Sequence, residues 1–156
     1  MRYLAIDLGD KRTGLALGDD VTRLTSPLDL LEVPLARNGG EDLIAALVRA
    51  IDEALGRDKG ELVMGLPLHA NGEESPRAKL TREFAKRLES RTGRVVRLFD
   101  ERRTSIAADS RLARSGLTHK QKKLRRDAIA AAAILESFLA ASDAMEPIED
   151  EPEQSE

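Results

Sequence analysis

The sequence predicts an α/β fold built on a mixed sheet, and three features of the chain carry that expectation. Two short apolar segments near the start, residues 3–8 and 14–18, are joined by a link bounded by glycines. Helical and apolar patterns then alternate as helix, strand, helix, strand between residues 41 and 99. A long alanine-rich helical stretch follows. At 156 residues the chain suits one domain with one core. We expect that domain over residues 1–142 and an acidic, disordered tail over 143–156.

Tyr3-Leu4-Ala5-Ile6-Asp7-Leu8 reads as a buried strand closed by Gly9, and residues 14–18 as its hairpin partner. A third strand is expected over 28–33, with Pro27 and Pro34 as its brackets, because proline is tolerated only at strand ends or edges. Residues 41–56 carry Leu43, Leu47, Ala50, Ile51, Ala54 and Leu55 at amphipathic helical spacing and end on Gly56. A strand over 62–66, a helix over 76–92 closed by Gly93 and a strand over 95–99 follow. Strands alternating with helices pair in parallel through right-handed crossovers. A short helix is expected over 104–115, a loop over 116–120 and the longest helix over 124–142, where alanine favours helix strongly.

Composition narrows the chemistry. With no Cys, disulfides, thiolate zinc sites and cysteine nucleophiles are all excluded, so any metal must be held by oxygen or histidine. The apolar start is too short for a membrane span and leads into charge, so a soluble cytoplasmic protein is expected, without membrane association. The net charge of −3 hides an asymmetry: residues 143–156 hold seven acids and no base, which leaves the body at +4. Residues 97–126 hold ten Lys and Arg against three acids. Such clustering suits a polyanionic partner, with a solvated helix face as the alternative.

Three carboxylates stand out. Asp7 ends an apolar strand on the side of Tyr3 and Ala5, where a charge is costly, although an Asp before Gly9 also suits a turn. Glu101 follows the strand at 95–99, and ligands of open α/β sheets gather outside the carboxyl ends of parallel strands. Its alternative is a surface carboxylate paired with Arg102 or Arg103. Asp127 lies on a stripe with Leu124, Ala128, Ala131, Ile134, Leu135 and Phe138, so an acid interrupts a core-facing pattern. Helix N-terminal stabilisation or a salt bridge to Arg125 or Arg126 would also account for it. Three converging acids would need cations, and hard oxygen ligands favour Mg²⁺ or Mn²⁺; paired ions would suit in-line phosphodiester hydrolysis.

Each acid has basic neighbours: Lys11 and Arg12, Arg102 and Arg103, and Lys120, Lys122, Lys123, Arg125 and Arg126. These are candidate phosphate contacts, which predict salt-sensitive binding with little base readout. One Tyr and three Phe argue against a stacking platform for single strands. The loop Gly65-Leu66-Pro67-Leu68-His69-Ala70-Asn71-Gly72 leaves the sheet at the same edge, with His69 either exposed or assisting proton transfer.

These residues resemble the YqgF family, also called RuvX, of bacterial Holliday junction resolvase-like proteins described as pre-16S rRNA nucleases. The resemblance runs from Tyr3 to Asp143. It is carried by Ala5-Ile6-Asp7-Leu8-Gly9 with Lys11-Arg12 and Gly14-Leu15-Ala16, by Gly65-Leu66-Pro67-Leu68, by Asp100-Glu101-Arg102 with Thr104-Ser105, and by Asp127 entering an Ala-rich helix. It implies a ribonuclease H-like fold: a five-stranded mixed sheet, a three-stranded antiparallel part plus parallel strands, with helices on both faces. It further implies a two-metal site on Asp7, Glu101 and Asp127, and trimming of the 5′ end of precursor small-subunit rRNA. A nuclease cutting branched DNA junctions and a non-catalytic RNA-binding or transcription-associated module are the competing functions. His69 and Asn71 depart from the Asn and Asp of many relatives, and Arg103 from a frequent Leu. Both monomer and homodimer are compatible with the sequence.

Overall fold

The computed structural model describes residues 1–104 and 119–141, with side chains over 1–104 and 128–141. Five strands form one sheet in the order β3-β2-β1-β4-β5. They are β1 (Arg2–Asp7), β2 (Thr13–Asp19), β3 (Thr25–Leu31), β4 (Gly60–Leu66) and β5 (Val96–Asp100). β1 pairs with β2 and β2 with β3 in antiparallel fashion, whereas β4 runs parallel to β1 and β5 parallel to β4. The expected three-stranded antiparallel part with added parallel strands is therefore present. β1, β4 and β5 all end at one edge of the sheet, which collects the residues that follow each of them.

Among the described residues three α-helices cover the two faces: α1 (Glu41–Leu55), α2 (Pro76–Thr92) and α3 (His119–Ala141). Strand alternation sorts the side chains between them. Leu4 and Ile6 of β1, with Leu62 and Met64 of β4, point to the face where α1 brings Leu43, Leu47 and Ile51 and α2 brings Phe84 and Leu88. Ala5 and Val63 point the other way, against Ala131, Ile134, Leu135 and Leu139 of α3. The central strands are thus buried on both faces, as parallel strands between helices require. Small Ala side chains on both partners let α3 approach the sheet closely.

α2 has the bounds expected of it because its ends are strongly marked. The Ser75 hydroxyl caps the Ala78 amide at 3.0 Å, Pro76 takes the first helical position, and Gly93 adopts φ +67° beyond the last turn. The third strand differs from expectation: it begins at Thr25 and contains Pro27. Pro27 is tolerated because β3 is an edge strand and because its pairing with β2 shifts register between Leu15 and Ala16, opposite that proline. α3 begins at His119, five residues before the expected start, and takes in part of the expected 116–120 loop. Lys and Gln extend a helix readily without adding to its apolar stripe. The short helix expected over 104–115, beyond its first residue, and the tail expected over 143–156 lie outside the described residues. Among the described residues no helix is long and apolar enough to cross a membrane.

Candidate active site at the carboxyl edge of the sheet

Asp7 is the last residue of β1, and its cross-strand neighbour in β2 is Gly14, which brings no side chain of its own. It shares a face with Ala5, so it lies on the α3 side of the sheet, half-buried at the strand end. Glu101 comes directly after β5 and opens a single 3-10 turn, Glu101–Arg103.

Gly65 shows where the Glu101 side chain goes. A Cβ at position 65 would lie 2.6 Å from Glu101 Oε1, 2.9 Å from its Cγ and 2.9 Å from Ile134 Cδ1. The glutamate is therefore folded back over β4, between the bare backbone of Gly65 and α3. The β1–β4 register aligns Ile6 with Met64, so its next step sets Gly65 beside Asp7. Two carboxylates from different strands thus share one face of the edge, and a glycine makes room for one of them.

The electrostatics of Glu101 follow from that placement. Burial pushes its pKa above the ordinary glutamate value, the nearby Arg77 charge pulls it down and Asp100 pushes it up. Among the described residues no hydrogen-bond donor reaches the Glu101 carboxylate. A half-buried anion in that position is suited to a cation. The oxygen-only donor pair of Asp7 and Glu101 fits a hard divalent ion such as Mg²⁺ or Mn²⁺. Among the described residues no three His, Cys, Asp or Glu side chains gather as a metal-holding group. The third predicted acid, Asp127, has its side chain outside them. Its backbone lies in α3, seven residues or about 10 Å of helix before Ile134. α3 runs back across the sheet toward the β2–β3 turn, where Arg23 donates to the Leu139 carbonyl. Asp127 therefore lies on the strand-end side of Ile134.

The predicted basic residues divide. Lys11 and Arg12 are exposed in the β1–β2 connection at the same edge. Arg102 instead forms a clasp: its Nε and Nη2 donate to Asp100 at 2.6–3.0 Å, and its Nη1 donates to the Ala70 carbonyl at 3.2 Å. This clasp holds the Asp100 carboxyl below its usual pKa. It also removes the reading in which Arg102 pairs with Glu101 at the surface. Arg103 places its guanidinium carbon 5.7 Å from the centre of the Phe99 ring. Lys120, Lys122, Lys123, Arg125 and Arg126 lie in α3 with side chains outside the described residues. His69 is exposed in a tight turn, where its amide donates to Glu73 and its carbonyl accepts from Gly72.

Two residues at this edge escape a reading of the sequence by residue type. Gly65 falls within the expected 62–66 strand and opens the Gly65-Leu66-Pro67-Leu68 segment, with nothing in its neighbours to ask for a missing Cβ, and Arg77 looks like one of many helical cations. Arg77 stands at the second position of α2, and its Nη2 donates to the Leu8 carbonyl at 2.9 Å while its Nη1 pairs with Asp10.

A mixed five-stranded sheet covered on both faces, with acids at the ends of its first and last strands, defines the ribonuclease H-like class of folds. Solved structures agree. A Thermus thermophilus RuvC in complex with a Holliday junction substrate superposes with a TM-score of 0.59 at 15% identity, over 95% of this chain and 99% of that one. The fowlpox virus Holliday junction resolvase gives 0.57 at 14%, over 90% and 99%. The particular family comes from sequence: the model of the RuvX family, described as Holliday junction resolvase, matches residues 1–141, and the chain belongs to this family. A relative from Anaeromyxobacter sp. (strain Fw109-5), named "Putative pre-16S rRNA nuclease", is 43% identical over 89% of this chain and 96% of its own length. One of the same name from Rhodopirellula baltica is 38% identical over 90% and 77%.

Proposed function

We propose that this protein is a metal-dependent nuclease that hydrolyses phosphodiester bonds at the carboxyl edge of its sheet and processes the 5′ end of pre-16S rRNA in the cytoplasm. The observation that carries the chemistry is the Glu101 side chain laid over Gly65 on the face that also holds Asp7. The names of the relatives from Anaeromyxobacter and Rhodopirellula support the rRNA substrate.

In this reading Asp7, Glu101 and Asp127 hold two divalent ions, Mg²⁺ or Mn²⁺. Such ions, when bound, lower the pKa of an attacking water and offset charge on the leaving oxygen. The chain's own part is to fix the ligands and the substrate. Asp7 is set by the β1 ladder, Glu101 by the turn after β5 and by the space over Gly65, and Asp127 by α3. Lys11 and Arg12 hold the phosphate backbone beside them, joined by Arg103 and the basic start of α3 at Lys120, Lys122, Lys123, Arg125 and Arg126. Arg102 is assigned to the clasp on Asp100 and acts on phosphate only through the loop it holds.

The test is cleavage of a pre-16S rRNA fragment and of a four-way DNA junction with Mg²⁺, Mn²⁺ or chelator. Cleavage of the RNA at the mature 5′ end, lost with chelator, is expected. Metal-dependent cleavage of the junction alone would move the substrate to branched DNA, a second reading favoured by the RuvX family description. Binding without cleavage of either would leave a non-catalytic nucleic-acid module.

A further inference from the structure

We propose that Arg77 is a positioning residue of this nuclease site, its guanidinium fork fixing the turn that carries the chain away from Asp7. The inference rests on the nuclease reading above and adds a residue to it.

The backbone after Asp7 loses its sheet partners at once. The ladder with β2 ends at the Asp7–Gly14 pair, and that with β4 ends at Ile6–Met64. The Leu8 carbonyl thus lies beyond both. Arg77 supplies its donor, through Nη2 at 2.9 Å, and the Nη1 of the same fork pairs with the Asp10 carboxylate two residues on. A planar guanidinium can satisfy a carbonyl and a carboxylate together in one fixed geometry, whereas an ammonium is a point charge on a flexible stem. The Asp10 carbonyl accepts from the Leu35 amide at 2.8 Å, so the turn is gripped from two sides.

The root of Arg77 is equally well placed. Ser75, two residues earlier, donates its hydroxyl to the Pro67 carbonyl at 2.8 Å while capping α2. The first turn of α2 therefore holds the chain exits of both β1 and β4, the strands that present Asp7 and Gly65. Arg77 touches neither acid through a hydrogen bond; it acts on Asp7 through the backbone that follows it. Its side chain is 30% exposed, partly sheltered by the turn it grips.

The test compares wild type, Arg77→Met and Arg77→Lys, with thermal unfolding as the check on folding. On whichever of the two substrates wild type cleaves, Arg77→Met should lower kcat about 10- to 100-fold, as a displaced catalytic group does, with KM within about threefold. Arg77→Lys should stay closer to Met than to wild type, because it keeps the charge and loses the fork. Titration with Mn²⁺ alone should show weaker binding in both variants. Unchanged kcat in Arg77→Met, a rise in KM alone, or full rescue by Lys would each overturn the inference while leaving the nuclease reading intact. If wild type cleaves neither substrate, the nuclease reading falls, and the Mn²⁺ titration decides: unchanged affinity in Arg77→Met overturns the role of Arg77, and weakened affinity sustains it. Should Arg77→Met fail to fold, Asp10→Asn, which removes only the ion pair, replaces it and must weaken Mn²⁺ binding, or the inference fails.

Discussion

Replacing Gly65 with Ala separates the two demands on the edge of the sheet, stability and catalytic geometry. The added Cβ would meet Glu101 Oε1 at 2.6 Å and Cγ at 2.9 Å, so the glutamate must withdraw by about 1 Å to reach ordinary van der Waals separation of roughly 3.5–4.0 Å. The third close atom, Ile134 Cδ1 at 2.9 Å, is a side-chain tip that can rotate. Gly65 needs no left-handed backbone, so Ala also gains about 0.4–1 kcal/mol by restricting the unfolded chain. Repacking around Ile134 opposes that gain, and the net change in stability should be within about 1 kcal/mol. Catalysis should suffer far more: a ligand misplaced by about 1 Å costs on the order of 100-fold, or about 2.7 kcal/mol of barrier. Steady-state cleavage and Mn²⁺ titration read this loss, with circular dichroism confirming the fold. Glu101→Asp supplies the control, since a shorter acid harms the wild-type site but relieves the clash, and the two changes together should cost less than the sum of each. A folded Gly65→Ala variant with wild-type kcat, or strict additivity with Glu101→Asp, would refute the placement of Glu101 in the site.

Asp7→Asn, Glu101→Gln and Asp127→Asn should each reduce cleavage by at least about 1,000-fold without unfolding the protein, and undiminished cleavage by all three would sink the mechanism. Glu101 has its pKa raised by burial, so the folded state holds its proton more tightly than the unfolded chain does. Stability from this group therefore falls as pH rises from the unfolded glutamate value through the folded one. With chelator present, Glu101→Gln should accordingly raise Tm at neutral pH and lose that advantage in acid; a lower Tm at neutral pH would contradict the burial argument. Lys11→Ala and Arg12→Ala should each reduce the slope of log affinity against log salt by about one, measured by fluorescence anisotropy on RNA. Leu47→Ala, with its side chain fully buried between α1 and the sheet, should cost about 2–5 kcal/mol in denaturant unfolding.

Elements were legible in the sequence where local chemistry and tertiary packing ask for the same residues. The bounds of α2 were readable because Pro76 and Gly93 mark its ends by mechanisms that do not depend on the rest of the fold, whereas the Ser75 cap was seen only in the structure. β1 and β4 were readable because burial on both faces leaves almost no polar residue inside them. β3 was not, because an edge strand is free to contain proline and its burial alternates only weakly. The start of α3 was missed for a related reason: His119 to Lys123 continue the helix without offering an apolar residue to mark it.

The candidate site was legible in its charges and illegible in its supports. Asp7 and Glu101 draw notice because a carboxylate at the end of an apolar strand is expensive, and that expense is local. Gly65 and Arg77 carry no such mark. What distinguishes Gly65 is an atom it lacks, and the need for that absence exists only once Glu101, 36 positions later, is folded over it. What distinguishes Arg77 is a carbonyl left over when two ladders end, at a residue 69 positions earlier. Periodicity and residue type describe a position by its neighbours in the chain, whereas these two are defined by groups brought to them from β1 and β5. In relatives of this fold, the residues that accommodate or tether the carboxylates hold the same place: their substitution would leave the acids in the sequence and remove them from their positions.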